Sequence, residues 1–270
     1  MSQERKNSVS LAKWVDDRQS QGRYFFTREE VRTELGLLDN TFRQASARLA
    51  TENRICRIRG GFYVIVPLEY KARGITPPDW FVADLMAYLK RPYYVGLLSA
   101  SAYHGASHQR VQQYHVITDQ PLRKIQCQSL VIRFFKKNNL STTALERTKT
   151  STGMIQISSP EATALDLVAY CRQVGGLDRV LTVLQELGEK LEPIKLVEAA
   201  RLASHIAYAQ RVGWLLEQTP FADKTSPLAD WILKSNASPA MLQPKLPKRS
   251  ACRDRRWNLW INTDVQGDLT

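Results

Sequence analysis

The sequence predicts an α+β protein in two parts, with strand and helix patterns mixed first and helical patterns alone later. Helical periodicity and short branched or aromatic runs alternate up to about residue 157, and from residue 178 the apolar spacing is helical. Residues 67–79, with Ile75-Thr76-Pro77-Pro78, interrupt all periodicity and predict a linker. We therefore predict an N-terminal domain with its linker over residues 1–78. A mixed α/β domain with a helical C-terminal subdomain and a basic tail follows over residues 79–270.

Composition narrows the functional classes. The 270 residues include 43% hydrophobic residues, enough for about two buried cores. The formal net charge is +12, with +5 in residues 1–78 and +5 in residues 245–256. Basic clusters at both ends indicate contact with a polyanion, and a solvated basic face is the alternative. No apolar run approaches the roughly 20 residues that cross a bilayer, so we expect a cytoplasmic protein without a membrane partner.

The four cysteines are scattered along the chain without a CxxC pair, which argues against a zinc cluster or a disulfide framework. We expect reduced thiols at all four positions: Cys56, Cys127, Cys171 and Cys252.

The N-terminal segment predicts a helix capped by Ser10, a short strand and then two helices joined by a tight turn. Thr27 and Glu30 form a capping box that starts the first of these two helices, and Gly36 ends it. Asp39 is predicted to cap the second, over residues 40–52. Two such helices are typical of a helix-turn-helix, in which polar side chains of the second helix contact DNA. The predicted contacts are Asn40, Thr41, Arg43, Gln44 and Arg48, with Ser46 on the same exposed face.

A basic hairpin follows directly over residues 54–66. Two strand-like runs meet at Gly60-Gly61, a dipeptide that accepts the positive φ of a tight hairpin turn. Its first strand carries three further predicted contacts to DNA phosphates: Arg54, Arg57 and Arg59. Two helices joined by a tight turn and followed by a basic hairpin predict a winged helix-turn-helix domain that binds DNA. The alternative is a winged helix used only for protein contacts.

The second part begins with a predicted helix over residues 80–90. Residues 93–118 then predict a strand, a short helix starting after Ser99 as its N-cap and ending near Gly105, and another strand. Further strands are predicted over residues 130–136 and 153–157.

Ser159, Pro160 and Glu161 predict the start of the next helix, on which Asp166 would lie towards the more polar side. Helices continue from residue 178. The basic tail over residues 245–256 is predicted to be an extended loop, followed by a closing strand over residues 256–262.

Candidate catalytic and metal sites in this part are incomplete. His104 and His108 are four residues apart, but no Glu lies between them and Gly105 ends the predicted helix, so a hydrogen-bonded packing role for His104 is favoured. Asp119 and Asp166 lack the acid and lysine partners of a metal-dependent nuclease. No GxSxG elbow, P-loop or GxGxxG motif is present. We therefore expect no catalytic residues, no metal and no cofactor, and a non-enzymatic protein.

The basic tail forms a second candidate patch, which could contact RNA or an acidic protein surface, or could be a solvated loop. It consists of Lys248, Arg249, Arg253, Arg255 and Arg256.

The order of these segments resembles a known family. A basic N-terminal winged helix is followed by YYVGLLSASAYHGASHQRVQQYHVIT, by SSPEATALDLV and by a terminal RWNLWIN. This arrangement is similar to that of the AbiEi family of bacterial type IV antitoxins, which are also transcriptional regulators of abortive-infection phage defence.

The resemblance implies that the winged helix binds inverted repeats in its own promoter and represses the operon, with two copies pairing on the DNA. It also implies that the second domain opposes a nucleotidyltransferase-like toxin without a stable complex. Two alternatives stay open: a winged-helix regulator whose C-terminal domain senses a ligand or partner, and an enzyme of nucleic-acid metabolism.

Overall fold

The computed structural model describes residues 9–106, 113–248 and 251–267. The N-terminal part consists of three helices and a three-stranded antiparallel sheet with the strand order β1-β3-β2. Its elements are α1 Leu11–Ser20, β1 Phe25–Thr27, α2 Arg28–Leu35, α3 Asp39–Thr51, β2 Ile55–Arg59 and β3 Phe62–Ile65.

Local signals fix the ends of these helices. The Ser10 hydroxyl accepts a hydrogen bond from the Lys13 amide at 3.3 Å, and the capping box of Thr27 and Glu30 is complete. Gly36 ends α2 with a φ of +61°, a left-handed conformation that glycine adopts without steric cost. The predicted turn at Gly60-Gly61 joins β2 to β3.

Two details of α3 differ from the prediction. Leu38, not Asp39, is the N-cap, and Asp39 instead forms an ion pair with Arg28 at 2.5 Å. Ser46, predicted to be exposed, is buried, and its hydroxyl donates to the Arg43 carbonyl at 3.1 Å. A serine that bonds back to its own helix does not need solvent, so its polarity misled the assignment of faces.

The second part is centred on a six-stranded mixed sheet with the strand order β6-β7-β5-β4-β9-β8. Its strands and the first helices around it are α4 Val82–Tyr88, β4 Tyr93–Val95, α5 Leu97–Tyr103, β5 Tyr114–Thr118, β6 Ile125–Cys127, β7 Leu130–Lys136, β8 Leu145–Lys149 and β9 Met154–Ser158. The helices after the sheet are α6 Pro160–Ala169, α7 Leu177–Leu187, α8 Pro193–Leu202, α9 Ile206–Glu217 and α10 Ser226–Lys234.

The six-stranded sheet lies between two hydrophobic cores because alternate side chains of its strands point to opposite faces. Tyr94 and Ile117 join the core formed with the helices from α5 onward. Val95 and Val116 join a second core that also contains α4 and side chains of β2 and β3, such as Phe62. The N-terminal sheet therefore packs against the central sheet.

The predicted linker contributes to this packing. Ile75 and Thr76 are buried, and the Thr76 hydroxyl donates to the Ile65 carbonyl at 2.8 Å. Short 3-10 turns occupy the flanking residues Leu68–Arg73 and Pro78–Trp80.

Helix α5 begins earlier than predicted. Gly96 is its N-cap and Leu97 its first residue, with a φ of +54°. An added Cβ at Gly96 would lie 2.7 Å from the Ile117 side chain, so the close contact with β5 requires glycine there. Ser99 lies inside the helix, where its hydroxyl accepts a hydrogen bond from the His115 amide at 2.9 Å. The predicted end is correct, since Gly105 follows the helix with a φ of +82°.

The expectation of reduced thiols is wrong at two positions. Cys56 of β2 and Cys127 of β6 form a disulfide that links the N-terminal sheet to an edge strand of the central sheet. The cysteines are 71 positions apart, and only the packing of β2 against β6 brings them together. Cys171 and Cys252 are free thiols.

The extended loop predicted over residues 245–256 is interrupted by a strand, β11 Cys252–Asp254, which belongs to a small sheet with the order β10-β12-β11. The other two strands are β10 Ala240–Met241 and β12 Leu259–Ile261, and β12 lies within the predicted closing strand over residues 256–262. Trp257 is fully buried against α9, where an added Cβ at Gly213 would come within 2.0 Å of its ring. The tail is thus packed onto the helical subdomain through one large side chain.

Within the described ranges, none of the helices combines the length and the apolarity that a membrane span requires.

Candidate nucleic-acid interface

Helix α3 presents a continuous polar face to solvent. Phe42, Ser46 and Leu49 are buried at spacings of four and three residues, so they share one side of the helix and the opposite side faces solvent. All five α3 residues predicted to contact DNA are exposed: Asn40, Thr41, Arg43, Gln44 and Arg48. Arg48 approaches Glu52 only to 4.0 Å, a separation at which an exposed pair contributes little.

A buried ion cluster holds α2, the helix before this face, against α1. The Arg18 guanidinium is buried, stacks 4.2 Å from the centroid of Trp14, and forms ion pairs with Glu30 at 3.1 Å and with Glu34. Burial raises the pKa of the Glu30 carboxyl, but the Thr27 amide and the charge of Arg18 outweigh burial, so the net shift is downward. The cluster orients α2 and therefore the turn that leads into α3.

The three hairpin arginines have different surroundings. Arg57 is exposed, and its Nε donates to the Gly60 carbonyl at 3.1 Å. Arg59 is half-buried and donates to the Arg123 carbonyl of the second part at 3.2 Å. Arg54 forms an ion pair with Asp16 of α1. Of the three, Arg57 is the exposed one, and the other two connect the hairpin to the rest of the molecule.

The described cations of the tail pack mainly on tryptophan rings and on a carboxylate. Lys248 lies 3.5 Å and Arg253 5.6 Å from the ring centroid of Trp260, within the range of cation–π contacts. Arg256 forms an ion pair with Glu217 at 3.0 Å. Arg255 is exposed, and Arg249 lies outside the described residues.

The predicted packing role of His104 agrees with its geometry. Its Nε2 lies 2.8 Å from the Ser158 carbonyl, where α5 meets β9. His108 lies outside the described residues. Asp119 faces Arg91 at 3.5 Å. In the part of the chain that the structure describes, no three His, Cys, Asp or Glu side chains lie together as a metal site would require.

A buried polar network in the second part was missed by sequence reasoning. Asp166, predicted on a polar side, is buried: its carboxylate accepts from the Tyr94 hydroxyl at 2.7 Å and from Lys137 at 2.8 Å. Lys137 also donates to the Tyr94 oxygen at 3.1 Å. Burial and the neighbouring Asp166 charge raise the pKa of Tyr94, so its hydroxyl remains a donor. The one sequence signal of this network was an aspartate at position 166 within an otherwise largely apolar helix sequence.

Comparisons with known proteins agree with the fold. The fold is similar to that of a crystal structure of the RV2827C protein from Mycobacterium tuberculosis, with a TM-score of 0.63, 12% identity, and coverage of 92% of this chain and 90% of that one.

A crystal structure of an antigenic nucleotidyltransferase-like protein from Paracoccidioides brasiliensis has a TM-score of only 0.36 and 10% identity. It covers 56% of this chain and 89% of that one, and a TM-score this low does not indicate a shared fold. No curated protein sequence matches the chain.

A protein-family model matches part of the second domain. Residues 94–218 match the AbiEi antitoxin C-terminal domain, a range that contains Tyr94, Lys137 and Asp166. This match confirms the resemblance read from the sequence over residues 94–218: this part of the chain is an AbiEi antitoxin C-terminal domain.

Proposed function

We propose that the chain is the antitoxin of a type IV toxin–antitoxin system in abortive phage infection, and that it also represses its own operon. The observation that carries the antitoxin role is the match of residues 94–218 to the AbiEi antitoxin C-terminal domain. The counterpart would be a nucleotidyltransferase-like toxin, which the antitoxin opposes without a stable complex.

Co-expression tests the antitoxin role. Cells that express a nucleotidyltransferase-like toxin encoded beside this gene should stop growing and should resume growth when the full chain is supplied. An unrelated DNA-binding protein expressed at the same level is the control. Growth arrest that persists in the presence of the chain would reject the antitoxin role.

Repression is proposed to use residues 1–78 as a winged helix-turn-helix domain, with α3 as the recognition helix. Supporting this, the exposed face of α3 carries two arginines together with amide and hydroxyl side chains, which bond to base edges and phosphates. Arg57 in the hairpin after α3 would add a phosphate contact. One such domain covers few base pairs, so two copies on an inverted repeat are expected.

A gel shift with the DNA upstream of the gene tests repression. The intact inverted repeat should bind in preference to a scrambled repeat of equal length, and binding should weaken with salt as counterion release requires. Equal shifts of both fragments, or no shift, would reject sequence-specific binding.

A regulator without an antitoxin role is the second candidate. The shared core of the N-terminal and central sheets favours it, because a change in the second part would reach the β2–β3 hairpin directly. This candidate predicts a specific gel shift together with no growth rescue.

A further inference from the structure

A cavity of about 330 Å³ opens in the second part of the chain, beside the Tyr94–Lys137–Asp166 network. It lies where the end of β7, the turn after it, and helices α6, α8 and α9 meet. Its volume falls at the small end of the range of roughly 300–1,000 Å³ that ligand pockets occupy. All of its lining residues lie between positions 136 and 208, so it shares none with the α3 face.

The charges at the cavity favour an anion. Lys136 and Lys137 line it together with a single carboxylate, Asp166. Asp166 is already compensated, because one of its oxygens accepts from Lys137 and the other from the Tyr94 hydroxyl. A cation would have to displace Lys137 from this buried pair, whereas an anion would also be attracted by Lys136, an exposed lysine of the lining whose charge Asp166 does not offset.

Lys137 has a donor left for such a ligand. An ammonium group has three N–H donors, and the hydrogen bonds to Asp166 at 2.8 Å and to Tyr94 at 3.1 Å use two of them. The side chain of Lys137 retains 18% of its exposure and lines the cavity. A ligand oxygen beside it would form a charge-assisted hydrogen bond at a site that the protein has already ordered.

The remaining walls suit an apolar or aromatic body. Small side chains leave the space open, and the rings of Tyr170 and Tyr208 form part of the lining. The small apolar residues are Ala144, Ala162, Ala169, Ala199 and Ala203. The hydroxyls of Thr142 and Thr143 also line the cavity but already donate to the Asn139 carbonyl, and His205 is a further polar residue of the lining.

We propose that this cavity binds a small organic anion, a carboxylate or a phosphate monoester with an apolar or aromatic body, through the ammonium group of Lys137. The proposal is independent of DNA binding and of toxin neutralisation. It gives the AbiEi domain a ligand site separate from the α3 face.

Ligand-observed NMR on the full chain tests this proposal. The probes are benzoate and phenyl phosphate, which distinguish the two kinds of anion, and benzamide, a neutral molecule shaped like benzoate. At least one anion should bind saturably at millimolar concentration or below, and benzamide about tenfold more weakly or not at all. Binding of benzamide equal to that of both anions, or no saturable binding by any probe, would overturn the proposal.

Two substitutions locate the site. Lys137→Met should weaken anion binding by about tenfold or more, while Lys234→Met, at an exposed lysine of α10, should leave it unchanged. Because Lys137→Met leaves Asp166 unpaired and could unfold the domain, Ala203→Phe is the second test, since it fills the cavity without removing a polar group. A folded Ala203→Phe protein that binds the anions as tightly as the parent chain would contradict the assignment.

Discussion

The α3 face and the C-terminal tail are both basic, but they hold their charges differently. Arg43 and Arg48 of α3 are exposed, with Arg48 only loosely paired. In the tail, Arg256 is paired with Glu217, and Lys248 and Arg253 pack on Trp260. The same residue types therefore extend into solvent on α3 and pack against the chain's own side chains in the tail.

Trp257→Ala tests whether the tail belongs to the core. Its ring is fully buried and its Nε1 donates to Glu217 at 2.6 Å, so the loss of packing should cost about 3–5 kcal/mol of the free energy of unfolding. Urea denaturation measures this change. Trp257→Phe is the control, because it retains most of the apolar surface. A loss below about 1 kcal/mol for Trp257→Ala would indicate that the tail is only loosely attached.

Removal of the disulfide tests how firmly the two regions are joined. Cys56→Ser should cost about 2–4 kcal/mol in oxidising buffer, because the bond closes a loop of 71 positions. Cys252→Ser, at an exposed free thiol, is the matched control. Thiol titration of the unfolded parent chain should find two thiols before reduction and four after it. Four thiols before reduction would contradict the bond.

His115 should make the second part sensitive to acid. Burial and then the charge of Arg133 lower the pKa of His115 to about 4, from an ordinary value of about 6.5. The folded state therefore binds fewer protons between these values, and stability should fall by up to about 3 kcal/mol as the pH drops from 6.5 to 4. Thermal unfolding across this range measures the slope, and His115→Gln should flatten it. An unchanged slope would assign the sensitivity to other groups.

Arg43→Ala compares the two basic surfaces directly. If Arg43 contacts a base edge, its loss should cost about 1–3 kcal/mol of operator affinity and relax specificity, whereas a phosphate contact would weaken all sequences equally. Arg253→Ala in the tail is the matched control and should leave operator affinity nearly unchanged. Gel-shift titration at fixed salt measures both. Equal losses of affinity for the two variants would contradict a difference between the α3 face and the tail in DNA binding.

Arg256→Ala should have the smallest effect. The pair with Glu217 is partly exposed on the arginine side, so its loss should cost no more than about 1 kcal/mol, and less at high salt. A double-mutant cycle with Glu217→Gln isolates the pair. A coupling energy well above 1 kcal/mol would mean that solvent does not screen it.

Much of the fold could be predicted because its signals are local. The capping box at Thr27 and Glu30, the helix end at Gly36 and the hairpin turn at Gly60-Gly61 depend on residues within a few positions of one another. The strands missed by sequence reasoning lack such signals. β8 is mostly exposed and reads LERTK, so its edge position gives no alternation of apolar residues.

From the amino-acid sequence alone one can read the main helices, most of the caps and turns, the polar face of α3 apart from Ser46, and the family resemblance over residues 94–218. The partners of the charged side chains follow only from the three-dimensional packing. It paired Cys56 with Cys127, tied Arg59 to the second part and brought Tyr94, Lys137 and Asp166 together from separate elements. Sequence patterns reveal helix propensity and capping because these act over a few neighbouring residues. Burial and ion pairing depend on contacts between segments far apart in the chain, so they cannot be read from local patterns.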